Sequence, residues 1–104
     1  MVDKKYTTSG QLMEAIRKQN YEKRYRICEE FYNILMETDF FNDDPACEDF
    51  KFIFEETELE ATHNEFRQIM RSVNEMEIVL FDIDFYEPST FLRIVERLRP
   101  IIER

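Results

Sequence analysis

The sequence has little glycine, proline, cysteine or histidine: its 104 residues include one glycine, three prolines, two cysteines, one histidine and no tryptophan. Tight turns with positive φ need glycine, so this scarcity excludes collagen and argues against a hairpin-rich sandwich or barrel. Since Gly10 stands alone, the chain has no glycine-rich phosphate-binding loop. His63 and two distant cysteines do not provide the ligands of a zinc site, and we expect neither a metal nor a cofactor.

Long apolar runs are also missing. The longest uninterrupted one spans residues 78–81, whereas a membrane-spanning helix needs about twenty apolar residues. Residues 1–6 are polar and resemble no signal peptide. We therefore expect a soluble cytoplasmic protein in which Cys28 and Cys47 stay reduced rather than forming a disulfide.

The chain does contain enough bulky apolar residues for one core. Its composition is 43% hydrophobic and includes ten phenylalanines and five tyrosines. The length suits a single domain over residues 1–104, and no repeat or low-complexity linker divides it.

Helical periodicity dominates the first third of the chain. Residues 11–36 contain neither glycine nor proline, and Ser9 can cap a helix that starts near Gln11. Apolar residues recur there at spacings of three and four, first from Leu12 and again from Ile27. Asn20 favours a break between two helices, and the alternative is one long helix through this run.

The middle of the chain is ambiguous. Asp44 before Pro45 is typical of a helix start, yet Phe50, Phe52 and Phe54 alternate as in a strand. Residues 62–65 match a capping box, which predicts a helix after Thr62. Residues 78–85 fit either a buried strand or a continuation of that helix.

The last element is predicted as a helix capped by Ser89 or Thr90, which Pro100 should kink or end near Arg99. The composition, rich in glutamate and arginine, favours helix throughout. The sequence thus predicts a mainly α fold, a compact single-domain bundle of four to five helices. The alternative is a small α+β fold with strands near 50–55 and 78–85.

Charge is segregated along the chain, which carries a net −9 at neutral pH. Residues 1–26 carry a net +4, residues 27–66 a net −12 and residues 67–104 a net −1. An acidic balance disfavours a generic binder of the phosphate backbone, which would normally be basic.

The acidic block predicts a partner-binding face. Clustered carboxylates steer association with a basic protein, and exposed aromatics inside a charged rim resemble a binding hot spot. The block equally fits a solvated surface. The candidate partner-binding residues are Asp39, Phe40, Phe41, Asp43, Asp44, Glu48, Asp49, Glu55, Glu56, Glu58 and Glu60.

A basic block near the amino terminus supports an alternative. Cations can hold phosphates while the interleaved Tyr21 and Tyr25 stack on bases. The candidate nucleic-acid-binding residues are Arg17, Lys18, Lys23, Arg24 and Arg26. This alternative is a small nucleic-acid-binding regulator that acts as a dimer.

No motif predicts catalysis. Residues 79–84 end in Asp82-Ile83-Asp84 and resemble, over six residues, the first motif of haloacid-dehalogenase-type phosphatases. Phe85-Tyr86 stands where that family has Gly-Thr, so we interpret Asp82 and Asp84 as solvated acids. A calcium loop starting at Asp39 also fails, because its sixth position holds Asp44 where glycine is needed.

These observations predict a small acidic, non-enzymatic interaction protein. Its expected partner is a basic protein, such as a nuclease or another nucleic-acid-processing protein, which it would inhibit stoichiometrically in the manner of an immunity or anti-defence factor. Membrane binding is not expected, and a homodimer is left open. This expectation is an analogy with other small acidic inhibitor proteins, drawn from the size and charge pattern of the chain.

Overall fold

Five helices make up most of the chain that the structure describes. The structure is a computed structural model, and it describes residues 6–37, 44–59 and 65–104. Within these ranges there are five helices and no strand. They are α1 (Ser9–Arg17), α2 (Tyr21–Glu37), α3 (Pro45–Leu59), α4 (Glu65–Tyr86) and α5 (Pro88–Ile102).

The predicted break at Asn20 is confirmed, but α1 begins earlier than predicted. Thr8, not Ser9, is its N-cap: the Thr8 hydroxyl accepts from the Gln11 N–H at 3.2 Å, and the Gln11 side chain accepts from the Thr8 N–H. This reciprocal capping box satisfies two backbone donors at once. Ser9 is instead buried, and its backbone N–H donates to Asp84.

Helix α3 begins as Asp44 and Pro45 predict. The Asp44 side chain accepts from the Ala46 N–H at 2.9 Å, and Pro45 occupies the first helical position. The alternative strand near 50–55 is wrong because this cap commits the segment to a 3.6-residue period. Phe50 and Phe54 are consequently buried, whereas Phe52 points outward.

Helix α4 runs through the second ambiguous segment, so the alternative strand near 78–85 is wrong as well. Met76, Val79, Leu80 and Ile83 continue its buried stripe, which needs helical spacing. The predicted cap at Thr62 lies outside the described residues.

Helix α5 differs from the prediction at both ends. Its N-cap is Glu87 rather than Ser89 or Thr90, because Pro88 has a φ suited to the first helical turn. The helix also continues past Arg99 to Ile102. Pro100 removes one backbone donor, but Ile102 is buried and keeps the last turn on the core.

All five helices contribute to one apolar core, and α4 contacts each of the other four. In the core the Phe31 and Phe50 rings meet edge to face with centroids 5.0 Å apart, and Phe50 stacks on Phe54. Cys28 and Cys47 are both free and buried. The fold is the mainly α bundle that the sequence predicts.

Candidate functional site

The structure places only part of the predicted acidic block. Asp39, Phe40, Phe41, Asp43 and Glu60 lie outside the described residues, and only the backbone of Glu58 is described. Asp44 caps α3 through its side chain. Glu48, Asp49, Glu55 and Glu56 all lie on the outward side of α3.

These four carboxylates surround an exposed aromatic ring. Phe52 is 64% exposed, although its neighbours Phe50 and Phe54 are fully buried. On a helix, the nearest surface neighbours of a residue are those three and four positions away. For Phe52 these positions hold Glu48, Asp49, Glu55 and Glu56. We call these five residues the α3 acidic face.

Contacts within the chain hold part of this face in place. Lys51 pairs with Glu48 at 3.1 Å and Arg71 with Glu56 at 3.7 Å, and the Tyr32 hydroxyl donates to Glu55. Glu55 and Glu56 are therefore positioned by α2 and α4, and Glu48 by its own helix, while all three remain at the surface. The whole of α3 carries five acidic residues against Lys51 as its sole basic residue.

A second exposed feature lies on α4. Ile78, Phe81 and Phe85 are 50%, 61% and 70% exposed, and they follow one another at spacings of three and four. They form an apolar row opposite the buried stripe of the same helix. Tyr86 extends it, because its ring meets that of Phe85 edge to face at 4.8 Å. We call Ile78, Phe81 and Phe85 the α4 row.

The two features adjoin along the contact between α3 and α4. The ion pair between Glu56 and Arg71 joins the outward side of α3 to α4. On the opposite side α4 is flanked by α1, since Arg17 makes a bidentate contact with Glu77 at 3.0 Å and also reaches Asn74. The outward surface of α3 and α4 is thus acidic on one helix and apolar along the other.

The predicted basic patch is largely engaged inside the molecule. Arg17 binds Glu77, Lys18 pairs with Glu14, and Lys23 donates to the backbone carbonyl of Arg104. Arg24 contacts the sulfur of Met70 on α4. Arg17 and Arg24 thus both contact α4, whereas Lys18, the C-cap of α1, pairs with that same helix. Arg26 lies beside Tyr21, Glu22 and Tyr25 in a surface depression.

Comparison of the chain with protein-family models, curated proteins and solved structures gave no match. In the described ranges no helix combines the length and apolarity that crossing a membrane requires. Among the same residues no three His, Cys, Asp or Glu side chains come together as metal ligands.

Asp82 and Asp84 occupy different surroundings from those of the phosphatase motif that they resemble. They lie within α4, not at the end of a strand, and Asp84 accepts the N–H of Ser9 at 2.9 Å. The carboxylate of Asp84 is thus used to tie α1 to α4.

Two features of the surface were missed in the sequence. Phe52 was treated only as part of an alternating pattern, although its four neighbours at helical spacing are all acidic. The α4 row was hidden because residues 67–104 are nearly neutral in sum, whereas residues 72–92 contain five acidic side chains and no basic one. Counting charge in windows of one helix length reveals the acidic surroundings of the α4 row, whereas Phe52 can be assigned only once α3 is known to be a helix.

Proposed function

We propose that this protein is a non-enzymatic interaction protein that binds a basic protein partner through the α3 acidic face. The observation that carries the proposal is the exposed ring of Phe52 at the centre of Glu48, Asp49, Glu55 and Glu56. An aromatic anchor enclosed by charged groups has the composition of a binding hot spot within a polar rim.

Electrostatics supports a basic partner. Carboxylates grouped on one side of a helix repel one another, so grouping them does not favour folding. The same grouping increases the rate of encounter with a positively charged surface and rejects acidic competitors. The partner class that best fits is an intracellular nucleic-acid-processing protein, whose own groove is basic, and the chain would act as its stoichiometric inhibitor.

Charge reversal on α3 against matched reversal elsewhere tests the proposal. The test variant is Asp49→Lys with Glu55→Lys, and the control is Glu29→Lys with Glu96→Lys. All four residues are exposed on helices, so both variants change the net charge equally. Tagged proteins are incubated with nuclease-treated and with untreated lysate of the source cells, and retained proteins are eluted with a salt gradient.

We expect the wild type and the control to retain the same basic protein and to release it at moderate salt, because screening weakens exposed charge contacts. The α3 variant should bind the purified partner about tenfold more weakly or worse. Phe52→Ser should weaken it by a similar factor. Equal affinity of all variants, or affinity independent of salt, would contradict the proposal.

The nuclease step also distinguishes a protein partner from the alternative, which is binding of nucleic acid. A partner that disappears after nuclease treatment would indicate nucleic acid, bound near Arg17 to Arg26. We favour the acidic face over this alternative because Phe52 and its four carboxylates share one side of α3. Arg17, Lys18 and Lys23 instead contact three different parts of the molecule. If the proposal is right, activity of the captured partner should fall to its minimum at one equivalent of added protein.

A further inference from the structure

The single glycine of the chain occupies a position where the fold does not require one. Gly10 lies in the first turn of α1, and no glycine in the described residues has a positive φ. A Cβ atom built on it would meet only the Thr8 hydroxyl oxygen, at an ordinary 3.9 Å. Since glycine is a poor helix former, neither backbone conformation nor internal packing explains its presence.

Gly10 borders a groove between α1 and the α4 row. The groove has a volume of about 400 Å³ and is lined by Ser9, Gly10, Glu77, Ile78 and Phe81. Because Gly10 has no side chain, nothing projects from this position of α1 into the groove beside Phe81. The groove therefore has room for a ligand that lies along α4.

The α4 row has the geometry of a helix-packing seam. Ile78, Phe81 and Phe85 repeat at three and four residues, the spacing with which an apolar seam receives the side chains of a second helix. Three exposed large apolar side chains in one line also exceed the scattered hydrophobics of an ordinary surface, such as Met36 or Leu92.

Charge around the row specifies the occupant. Glu75 and Asp82 flank the row on one side and Glu77 and Asp84 on the other, and no basic residue occurs between Arg71 and Arg93. Arg17 of α1 neutralises Glu77, so Glu75, Asp82 and Asp84 carry the excess negative charge beside the row. In helix pairs, the residues flanking the seam choose the partner through their charge. A second copy of this chain would bring the same carboxylates into opposition, whereas a helix flanked by lysine and arginine would complement them.

We propose that the groove and the α4 row bind an amphipathic α-helix of a partner protein, with apolar residues at heptad spacing and basic residues on both sides of them. This inference goes beyond the α3 acidic face, since it stands on different residues and would hold if Phe52 played no part in binding.

Designed peptides test the proposal on the full-length protein. The probe is a fluorescent 21-residue helical peptide with leucine at its seam positions and lysine and arginine on both flanks. The control peptide keeps the seam and carries glutamate on the flanks. Fluorescence anisotropy gives Kd for the wild type, Phe81→Ser, Gly10→Trp and Phe52→Ser, and sedimentation equilibrium gives the oligomeric state.

We expect the basic peptide to bind and the acidic peptide not to bind. Phe81→Ser and Gly10→Trp should each raise Kd about tenfold or more, because one removes an anchor and the other fills the groove. Both residues are exposed, so circular dichroism and the melting temperature should confirm that each variant folds. Phe52→Ser should leave Kd within about twofold, since it lies on α3.

The inference is overturned by equal binding of the two peptides, by a Kd that neither Phe81→Ser nor Gly10→Trp changes, or by a stable wild-type dimer that Phe81→Ser dissociates. The last result would assign the row to a second copy. Loss of peptide binding in Phe52→Ser alone would assign the peptide to the α3 acidic face, so the two proposals fail separately.

Discussion

The backbone N–H of Ser9 donates to a side-chain oxygen of Asp84 at 2.9 Å, across 75 residues of sequence. Ser9 is the first residue of α1, and Asp84 lies in the last turns of α4. A helix start exposes unpaired N–H groups and carries partial positive charge, so an external carboxylate stabilises it in two ways. Asp84 therefore supplies α1 with a cap that comes from another helix.

Replacing Asp84 should weaken this tie. We expect Asp84→Ala to lower the free energy of unfolding by about 1 kcal/mol, the usual cost of losing a helix cap. Asp84→Asn should cost less, since the amide oxygen can still accept the bond. Urea denaturation measures both changes, and Asp82→Ala, two residues away on the same helix, is the control. Equal losses at Asp82 and Asp84 would contradict a specific role for the cap.

The phenylalanines of α3 provide a sharp test of the helical period. Phe50→Ala should destabilise the fold by about 3–5 kcal/mol, because the ring is fully buried against Phe31 and Phe54. Phe52→Ala, two residues away, should change stability by less than about 0.5 kcal/mol. Thermal or urea unfolding of the two variants compares them directly. In a strand both rings would lie on one face, so similar losses would favour the strand.

Arg97 links α2 to α5 through two carboxylates. Its guanidinium binds Glu30 at 2.7 Å and Glu37 at 2.5 Å, and the hydrogen bond from Arg97 lowers the pKa of Glu37 below its usual range. A lowered pKa contributes stability above the ordinary value of 4.5, which is lost as the pH falls. NMR titration should show a higher Glu37 pKa in Arg97→Ala than in the wild type. An unchanged pKa would mean that the contact does not form in solution.

The two thiols should be inert in the native protein. Burial raises the pKa of Cys47 to about 12 and that of Cys28 well above its usual range, from an ordinary 9.0. A thiol reagent at pH 8 should therefore react slowly with the native protein. After denaturation without reductant, it should react readily with both thiols. A denatured, unreduced sample without free thiols would indicate a disulfide.

The raised thiol pKa values also predict a pH dependence. The unfolded chain releases these thiol protons at a lower pH than the folded chain does. The contribution of the two thiols to the free energy of unfolding is therefore complete below pH 9 and decreases as the pH rises above 9. Each thiol contributes a slope of at most about 1.4 kcal/mol per pH unit. Urea unfolding between pH 8 and 11 should show a smaller slope for Cys47→Ala than for the wild type.

Local signals in the sequence were enough to predict the fold class and most of the core. The spacing of Ile27, Cys28, Phe31, Ile34 and Leu35 predicts the buried face of α2, and Asp44 with Pro45 predicts the start of α3. These signals depend on near neighbours in the chain, which is why they can be read from one sequence. The predicted start of α1 is too late because Thr8 and Ser9 are both good caps. The local signal that distinguishes them is the capping box, since Gln11 stands three residues after Thr8 whereas Leu12 stands three after Ser9.

The surface was less predictable because it depends on tertiary neighbours. Nothing local indicates that Arg17 binds Glu77 or that Arg97 binds Glu30, since 60 or more residues separate each pair. The acidic character of residues 39–60 was evident, but the exposed anchor within it could be assigned to Phe52 only after α3 was known to be a helix.

The central position of α4 has a consequence for the order of folding. Helix α4 begins six residues after the end of α3, and α5 begins two residues after the end of α4. Helices α3, α4 and α5 are therefore neighbours in sequence, and their packing carries a small closure cost and should form early. The contacts that join α1 to α4 span 57 to 75 residues and carry a larger closure cost, so α1 should dock last and undock first. Transient release of α1 would take away one wall of the groove beside Phe81 while the rest of the bundle stays folded. Ligand affinity there would then depend on the local opening equilibrium of a single helix.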